Sequence, residues 1–486
     1  MDLAITLDNN TAIPLHQQLY EELRRAILSG RLLPRQRIPS TRSLAKSLGI
    51  SRTTVTSCYE QLLSEGYLET IVGSGTYVCA QLPDDLLHST PVESVQKTVP
   101  PIQLSKYAAR LADMDTSLMS EPDLQISFRY GRPAFDHFPM QTWRKLLSRH
   151  CRENSTWLDY ATDALGYKPL REAIARYLSR SRAVQCEPEQ VIITNGTQQA
   201  LYLIMRLSIE LGDAIALEDP GYLSARRIFL SQGAKLLPVR VDESGLVVKD
   251  LAKYANESIK LVYVTPSHQF PTGAILSLPR RLELLAWAQQ NSAMIIEDDY
   301  DSEYRYGDRP IPALQGLAQT DSVLYIGTFS KVLFPSLRIG YLVLPQSLIS
   351  LFARAKWLSD RSLPSLEQQV LTNFIEQGHL ESHIRKMRSL YERRCQALVQ
   401  ALKADFGEKA TILGEKAGLH LMVRLQTHLT DEEIIQRAAR VGVAMMSAQP
   451  HYLNANCTGE FIFGYSELTQ EQIQRGISRL ALAIAK

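Results

Sequence analysis

Apolar runs of strand length alternate with amphipathic helical stretches through the middle of the chain, and this alternation restricts the fold more than any other feature. The runs are VIIT (191–194), AIALE (214–218), LVYV (261–264), AMIIE (293–297), VLYIG (323–327) and IGYLVL (339–344). Strands that alternate with helices form crossover units, and the strands then lie parallel in one sheet with helices on both faces. We therefore predict an α/β domain with a mainly parallel sheet.

The 486 residues separate into three zones by pattern. Residues 1–81 combine helical periodicity with two short strand-like stretches, which predicts a small α+β domain. Residues 82–123 are broken by prolines among Ser, Thr, Asp and Gln, which is typical of a linker. Residues 124–486 form the α/β domain, and from about residue 381 long helical patterns with short strands predict a smaller α+β subdomain.

Composition excludes several classes of protein. With 45% hydrophobic and 21% charged residues, the chain is neither globally disordered nor collagen-like. The six cysteines contain no CxxC pair, so we expect free thiols in a reducing compartment. The sequence contains no signal-peptide pattern and no window of 18 uncharged apolar residues, so we expect a cytoplasmic protein without a membrane partner.

The first zone has the spacing of a helix-turn-helix motif. Leucines recur every four residues from Leu15, and the stripe ends at Ile27, which predicts one amphipathic helix. Ser40 is placed to cap a second helix, Gly49 to end it and Ser51 to cap a third. The sequence YLETIVGSGTYV then predicts a β-hairpin wing. In such motifs the first residues of the last helix face the edges of DNA bases.

Local charge supports this interpretation even though the net charge of the whole chain is only +2. All eight basic residues of the first 80 lie between Glu22 and Glu60, and no acidic residue interrupts them. A basic segment of this kind is typical of a domain that binds nucleic acid.

The segment IPSTRSLAKSLGISRTTVTSCYEQLLSEGYL, followed by GSGTYV, resembles the GntR-type winged helix. The resemblance covers about 70 residues. It implies that this domain binds a DNA operator. The residues expected to contact DNA are Arg42, Arg52, Thr53, Thr54 and Gly75.

Four groups of residues in the large domain can carry chemistry. After VIIT, the break at Asn195–Gly196 begins a helix whose first amides suit a phosphate. Acidic residues and Tyr300 follow AMIIE at the edge of the sheet where ligands of α/β folds bind. No histidine lies beside these acids in the sequence, so we expect no metal site and another use for one carboxylate. The loop TPSHQFPTG can present His268 and Gln269 to the same edge.

The fourth group follows the run VLYIG. Lys331 has apolar residues near it in the sequence, with Thr328 before it and Arg338 after it. These residues suit a phosphorylated aldehyde held as a Schiff base, in which Lys331 supplies the nitrogen and Thr328 and Arg338 bind the phosphate.

The order NGTQQA, EDPGY, SHQFPTG, EDDYDSEY and GTFSKVLFPSLRIG resembles the fold-type I aminotransferases that use pyridoxal 5'-phosphate (PLP). By this resemblance Lys331 holds the cofactor, and Asp298 pairs with its pyridinium nitrogen. Tyr300 bonds the phenolic oxygen of the ring, and Tyr222 stacks on its face. Tyr160 is implied to reach the phosphate of a partner subunit. The residues implied to form the phosphate cup are Gly196, Thr197, Gln198, Thr328 and Arg338.

The sequence departs from the aminotransferase pattern at two places. Phe270 stands where many of these enzymes have an asparagine, so the phenolic oxygen must rely on Tyr300 and on His268 or Gln269. The last strand, GEFIFGYSEL, lacks the arginine that holds a substrate carboxylate, with Ile462 and Glu467 among the candidate positions.

A GntR-type DNA-binding domain joined to an aminotransferase-like domain resembles the arrangement of the MocR/GabR family of transcription regulators. This resemblance implies a homodimer that binds an operator and senses a small-molecule effector, either an amino compound or PLP itself. The alternative is an active PLP-dependent aminotransferase with an accessory DNA-binding domain.

Overall fold

A computed structural model divides the chain into two compact units, Met1–Gln103 and Leu104–Lys486. None of the helices that the structure describes is long and apolar enough to cross a membrane. Most of the predicted linker, and Tyr160, lie outside the described residues. The residues described are 5, 7–8, 11, 13–84, 103–114, 124–153, 158–159, 163–307, 311–454 and 457–485.

The first unit is a winged helix-turn-helix, as the sequence predicts. Its core contains Leu19, Leu23 and Ile27 from the predicted apolar stripe, and all three are buried. Its elements are α1 (Leu15–Leu28), α2 (Thr41–Leu48), α3 (Arg52–Ser64), β1 (Leu68–Ile71) and β2 (Gly75–Val78).

The turn between α2 and α3 has the predicted caps. The Ser40 hydroxyl accepts a hydrogen bond from the Ser43 amide at 3.2 Å, and Gly49 ends α2 with a φ of 66°. Only glycine adopts this left-handed conformation without strain. The Ser51 hydroxyl accepts a hydrogen bond from the Thr54 amide at 3.1 Å, which begins α3. Side-chain caps therefore position the first residues of α3.

The second unit is built on an eight-stranded sheet in the order β4-β11-β10-β9-β8-β5-β6-β7. The six predicted strands are all present in it. Neighbours from β10 to β6 pair in parallel, while β11 is antiparallel to both β4 and β10. The mainly parallel sheet is confirmed. Its strands are β4 (Val191–Thr194), β5 (Ala214–Asp219), β6 (Lys235–Asp242), β7 (Gly245–Leu246), β8 (Ile259–Val264), β9 (Met294–Asp299), β10 (Val323–Thr328) and β11 (Gly340–Val343).

Helices bury both faces of this sheet. The residues of one face pack in a cluster with Leu201 and Phe229, and those of the other face pack with Leu284 and Ala288. The helices are α4 (Lys106–Ala112), α5 (Met140–Glu153), α6 (Lys168–Arg182), α7 (Gly196–Ser208), α8 (Leu223–Gln232), α9 (Leu278–Gln290), α10 (Leu314–Leu317), α11 (Ile349–Asp360) and α12 (Ser365–Glu376).

A smaller four-stranded antiparallel sheet follows, in the order β12-β13-β16-β15. The short β3 (Ile126–Ser127) pairs in parallel with Val443–Ala444, and Phe128 packs against Phe463 with ring centroids 5.2 Å apart. Residues 126–128 therefore belong to the core of this C-terminal region, which sequence periodicity did not predict. Its other elements are α13 (His379–Phe406), β12 (Ala410–Leu413), β13 (His420–Leu425), α14 (Asp431–Arg440), β14 (Val443–Ala444), β15 (Met446–Ser447), β16 (Glu460–Gly464) and α15 (Gln470–Ile484).

Candidate functional site

A cavity of about 220 Å³ lies where the parallel strands of the large sheet end. Carboxyl ends of parallel strands meet at one edge, and residues far apart in sequence therefore converge there. Eight of the nine residues that the sequence assigns to the cofactor line this cavity: Thr197, Gln198, Tyr222, Asp298, Tyr300, Thr328, Lys331 and Arg338. The ninth, Gly196, lies directly beside Arg338.

Lys331 follows β10 and is held inside the cavity. Its Nζ donates a hydrogen bond to the carbonyl oxygen of Gly131 at 2.8 Å. Burial lowers the pKa of this lysine, and the charges of Asp301 and Asp298 oppose that shift. Desolvation thus favours the neutral amine, which is the nucleophilic form.

Asp298 lies near the carboxyl end of β9 and has one oxygen with a hydrogen-bond partner and one without. Its Oδ2 accepts a hydrogen bond from the Tyr263 hydroxyl at 2.8 Å. Its Oδ1 is buried and has no hydrogen-bond partner among the described residues. Burial raises the pKa of Asp298 to about 7, and the bond from Tyr263 works against that rise. Buried acceptors are rarely left unpaired, so Oδ1 fits a protonated ring nitrogen of a bound group.

The neighbouring acid, Asp299, is used by the fold. Its Oδ2 accepts hydrogen bonds from Arg182 Nε at 2.8 Å and from the Tyr325 hydroxyl at 2.6 Å. Asp298 is therefore the one of this adjacent pair that lines the cavity.

The opposite end of the cavity is shaped for an anion. The Arg338 guanidinium donates to Asn195, from Nε to Oδ1 at 3.1 Å and from Nη2 to the carbonyl oxygen at 2.7 Å. Gly196 has a φ of 72°, which favours glycine, and a Cβ there would lie in tight contact with Arg338 Nη2, at 3.0 Å. The first amides of α7 and the Thr328 hydroxyl complete a cradle of donors.

Aromatic rings line the walls between these two ends. The ring centroids of Tyr222 and Phe270 lie 5.8 Å apart in an edge-to-face arrangement. The Tyr300 hydroxyl donates to the carbonyl oxygen of His268 at 2.9 Å. The Gln269 side chain donates from Nε2 to the carbonyl oxygen of Phe270 at 2.6 Å and to that of Pro220, after β5, at 2.8 Å. Of these two candidates, His268 is the one whose hydrogen bond to Tyr300 is seen among the described residues.

The structure also brings together three residues that sequence reasoning did not connect. His268 Nδ1 lies 3.0 Å from Asp301 Oδ2, and the rings of His268 and His420 lie 4.9 Å apart. One ligand-type atom of each residue lies within 4.8 Å of the others. His420 Nε2 is 3.2 Å from the Pro271 carbonyl oxygen. His420 is on β13, far along the chain, and no local pattern could have placed it here.

The two candidate positions of the missing carboxylate-binding arginine hold an apolar residue and an acidic residue. Ile462 is fully buried, in a cluster with Phe270, Met422 and Ala448. Glu467 lies 3.3 Å from Arg132 in an ion pair. Neither residue offers a cation to the cavity.

The first unit presents a basic face, which we define as Arg35, Arg37, Arg42, Lys46 and Arg52; all five are exposed. Thr53 is exposed beside Arg52 at the start of α3, whereas Thr54 is half-buried and bonded to Ser51. Gly75 in the hairpin lies next to Arg37, whose Nε would be 3.0 Å from a Cβ at that position.

Each of the two units matches a known protein family. Bacterial regulatory proteins of the gntR family match residues 15–78, and the aminotransferase class I and II family matches residues 124–480. The probable rhizopine catabolism regulatory protein MocR of Rhizobium meliloti is 40% identical over 479 residues, covering 99% of this chain and 95% of that protein. The chain belongs to the MocR/GabR family of transcription regulators.

Another regulator is similar to this chain over its whole length. The pyridoxine biosynthesis transcriptional regulator PdxR of Corynebacterium glutamicum is 31% identical over 484 residues, covering 100% of this chain and 99% of that protein. The GntR domain makes this MocR/GabR-type regulator a DNA-binding protein.

Solved structures resemble its second unit. Kynurenine aminotransferase of Pyrococcus horikoshii, in complex with PMP, has a TM-score of 0.70 and 28% identity, covering 80% of this chain and 96% of that one. The α-aminoadipate aminotransferase LysN of Thermus thermophilus, complexed with N-(5'-phosphopyridoxyl)-L-leucine, has a TM-score of 0.71 and 29% identity. The match covers 79% of this chain and 97% of that one. Both hold pyridoxal-derived groups, so the family relation implies PLP.

The raised pKa of Asp298 predicts a pH dependence of stability in the cofactor-free protein. Between pH 3.8 and pH 7 the folded state keeps a proton on Asp298 that the unfolded chain releases. The free energy of unfolding therefore falls as pH rises through this window. Asp298→Asn should make that fall less steep, by up to about one bound proton, in urea unfolding at a series of pH values.

The matched control is Asp213→Asn. A hydrogen bond from Lys260 lowers the pKa of Asp213, so its titration lies below this window and its replacement should leave the slope unchanged. An unchanged slope in Asp298→Asn would contradict the burial argument.

Proposed function

We propose that this regulator binds PLP at Lys331 and senses a small-molecule effector at the same site, and that the effector alters its action on DNA. The observation that carries the proposal is the unpaired, buried Oδ1 of Asp298 in the cavity that also holds Lys331. An acceptor without a donor at this position fits a protonated pyridine nitrogen.

In this proposal one end of the cavity binds the cofactor's ring and the other binds its phosphate. When bound, PLP supplies an electrophilic aldehyde carbon attached to an electron-withdrawing ring. Lys331 supplies the nitrogen that bonds to that carbon, and Asp298 keeps a proton on the ring nitrogen. Arg338, Thr328 and the first amides of α7 bind the phosphate by charge and hydrogen bonds. Tyr222 packs on the ring, and Tyr300 lies beside its phenolic oxygen.

The signal starts at the lysine. With PLP bound, an effector that has a free amine would replace the Lys331 nitrogen on the aldehyde carbon, and the lysine would leave as a free amine. Differential affinity of the effector for two conformations of the second unit would then change the spacing of two winged helices in a homodimer. The basic face and the first residues of α3 bind the operator half-sites.

A second candidate function is aminotransferase activity. The observation in its favour is similarity to the 2-aminoadipate transaminase of Thermus thermophilus, at 30% identity over 363 residues. Buried Ile462 argues against efficient turnover, because an amino acid substrate needs a cation to orient its carboxylate. Fast conversion of bound cofactor to its amine form by a common amino acid would favour the enzyme.

Replacement of Lys331 tests the sensing proposal. In Lys331→Ala, borohydride should leave no cofactor attached to the chain, and effector-dependent transcription should be lost while DNA binding persists. Lys331→Arg keeps a positive charge but cannot form the bond, so it should behave in the same way. The measurements are mass spectrometry after reduction and transcription in vitro. A retained effector response in Lys331→Ala would refute the proposal.

Replacement of Arg52 tests the DNA face. Arg52→Ala should weaken operator binding by about 1–3 kcal/mol, the usual cost of losing an arginine contact to DNA. Arg25→Ala is the matched control, because Arg25 is exposed on α1 and lies 2.6 Å from Glu22 in an ion pair. Its affinity should stay close to that of the wild type in fluorescence anisotropy. Equal losses in both variants would argue against contact through α3.

A further inference from the structure

The charges that line the cavity are unevenly divided between the cofactor and the space left for an effector. The charged residues of the lining are Asp298, Asp301, Lys331 and Arg338. If the cofactor binds as proposed, Asp298 faces its ring nitrogen, Arg338 its phosphate and Lys331 its aldehyde carbon. Asp301 is then the one charged group of the described lining that the cofactor does not use.

Asp301 is held as a buried acceptor. Both of its oxygens lie near His268 Nδ1, at 3.2 and 3.0 Å, and its side chain is 1% exposed. Its charge acts on Lys331, where it opposes the effect of burial on the pKa. Asp301 therefore places a buried acidic group, paired with His268, beside the space that the cofactor leaves.

His420 does not compensate for this charge. It lines the cavity, and burial together with the neighbouring His268 holds its pKa well below its usual range. The imidazole is consequently neutral at physiological pH. It contributes polarity to the wall and no positive charge.

The wall on the side of the small sheet is apolar and aromatic. Tyr130, Phe270 and Leu419 line it, and the rings of Tyr130 and Phe270 lie 4.9 Å apart. Ile462 is fully buried in the same cluster as Phe270. Arg132 pairs with Glu467 and lies over Phe135, and the exposed Arg129, whose charge acts on Lys331, does not line the cavity. A carboxylate placed against this wall would be buried without a cation, which is strongly unfavourable.

We infer that the effector is a primary amine that carries no carboxylate. The inference rests on the proposed function, because it assumes that the effector's amine competes with Lys331. The chemical class that the remaining lining admits is an amine whose other end is apolar or uncharged against Tyr130, Phe270 and Leu419. Amino acids, with the amine and carboxylate either adjacent or at opposite ends, are excluded by the same unpaired charge.

The test uses the full-length chain loaded with PLP and amines matched to amino acids. Butylamine is compared with norvaline and 5-aminopentanoate, which add a carboxylate to the same chain at its two ends. Phenethylamine is compared with phenylalanine. The visible absorbance of the lysine-bound cofactor is followed as each ligand is added. Each amine should change it at a concentration about tenfold or more below that of its amino acid partners, because a buried carboxylate is costly.

A variant at Ile462 strengthens the test. Ile462→Arg supplies the missing cation and should reverse the order in favour of norvaline and phenylalanine, while Ile462→Leu should keep the order of the wild type. Circular dichroism checks that Ile462→Arg is folded; if it is not, the wild-type comparison alone decides.

The outcomes separate the inference from the proposal beneath it. A wild-type preference for the amino acids would overturn the inference and leave sensing at Lys331 intact. No response to any of these ligands, in protein whose Lys331 still becomes labelled after borohydride reduction, would overturn both the inference and amine sensing. Absence of the label would refute cofactor binding at Lys331 itself.

Discussion

The second unit depends on the burial of opposite charges at one edge of its sheet. Asp298 and Lys331 both lose water there, so burial raises the pKa of the acid and lowers that of the lysine. Each group is thereby pushed towards its neutral form, and each becomes ready for a partner that restores charge or a covalent bond. This state is costly for the fold, which must hold it by rigid packing around the site.

The surroundings of the edge provide that rigidity. Asp299 forms a buried ion pair with Arg182 and accepts a hydrogen bond from Tyr325, so the adjacent carboxylates of β9 have separate uses. Glu218 accepts a hydrogen bond from the Thr265 hydroxyl at 2.6 Å. Asp298, whose Oδ1 has no partner among the described residues, is the acid of this adjacent pair that lines the cavity. Asp301 lines the same cavity, is paired with His268, and is not used to hold the cofactor in this account, so it faces the effector.

Sequence reasoning recovered six of the eight strands of the large sheet, missing β6 and β7, and it recovered the site residues that follow several of them, because parallel strands bring their carboxyl ends to one edge. It recovered the caps at Ser40, Gly49 and Ser51 because these act within a few residues. It could not recover the approach of His420 to His268, or the carbonyl of Gly131 at Lys331, since those contacts join distant elements. The contribution of Ile126 to the C-terminal core was hidden for the same reason, as β3 is only two residues long.

The central claim is that bond exchange at Lys331 controls the DNA-binding unit. The most direct measurement is operator binding by the PLP-loaded chain, with and without an activating amine, before and after borohydride reduction. Reduction fixes the bond between Lys331 and the cofactor, so the reduced protein should still bind the operator but should no longer respond to the amine. A reduced protein that responds as fully as the untreated protein would contradict the account.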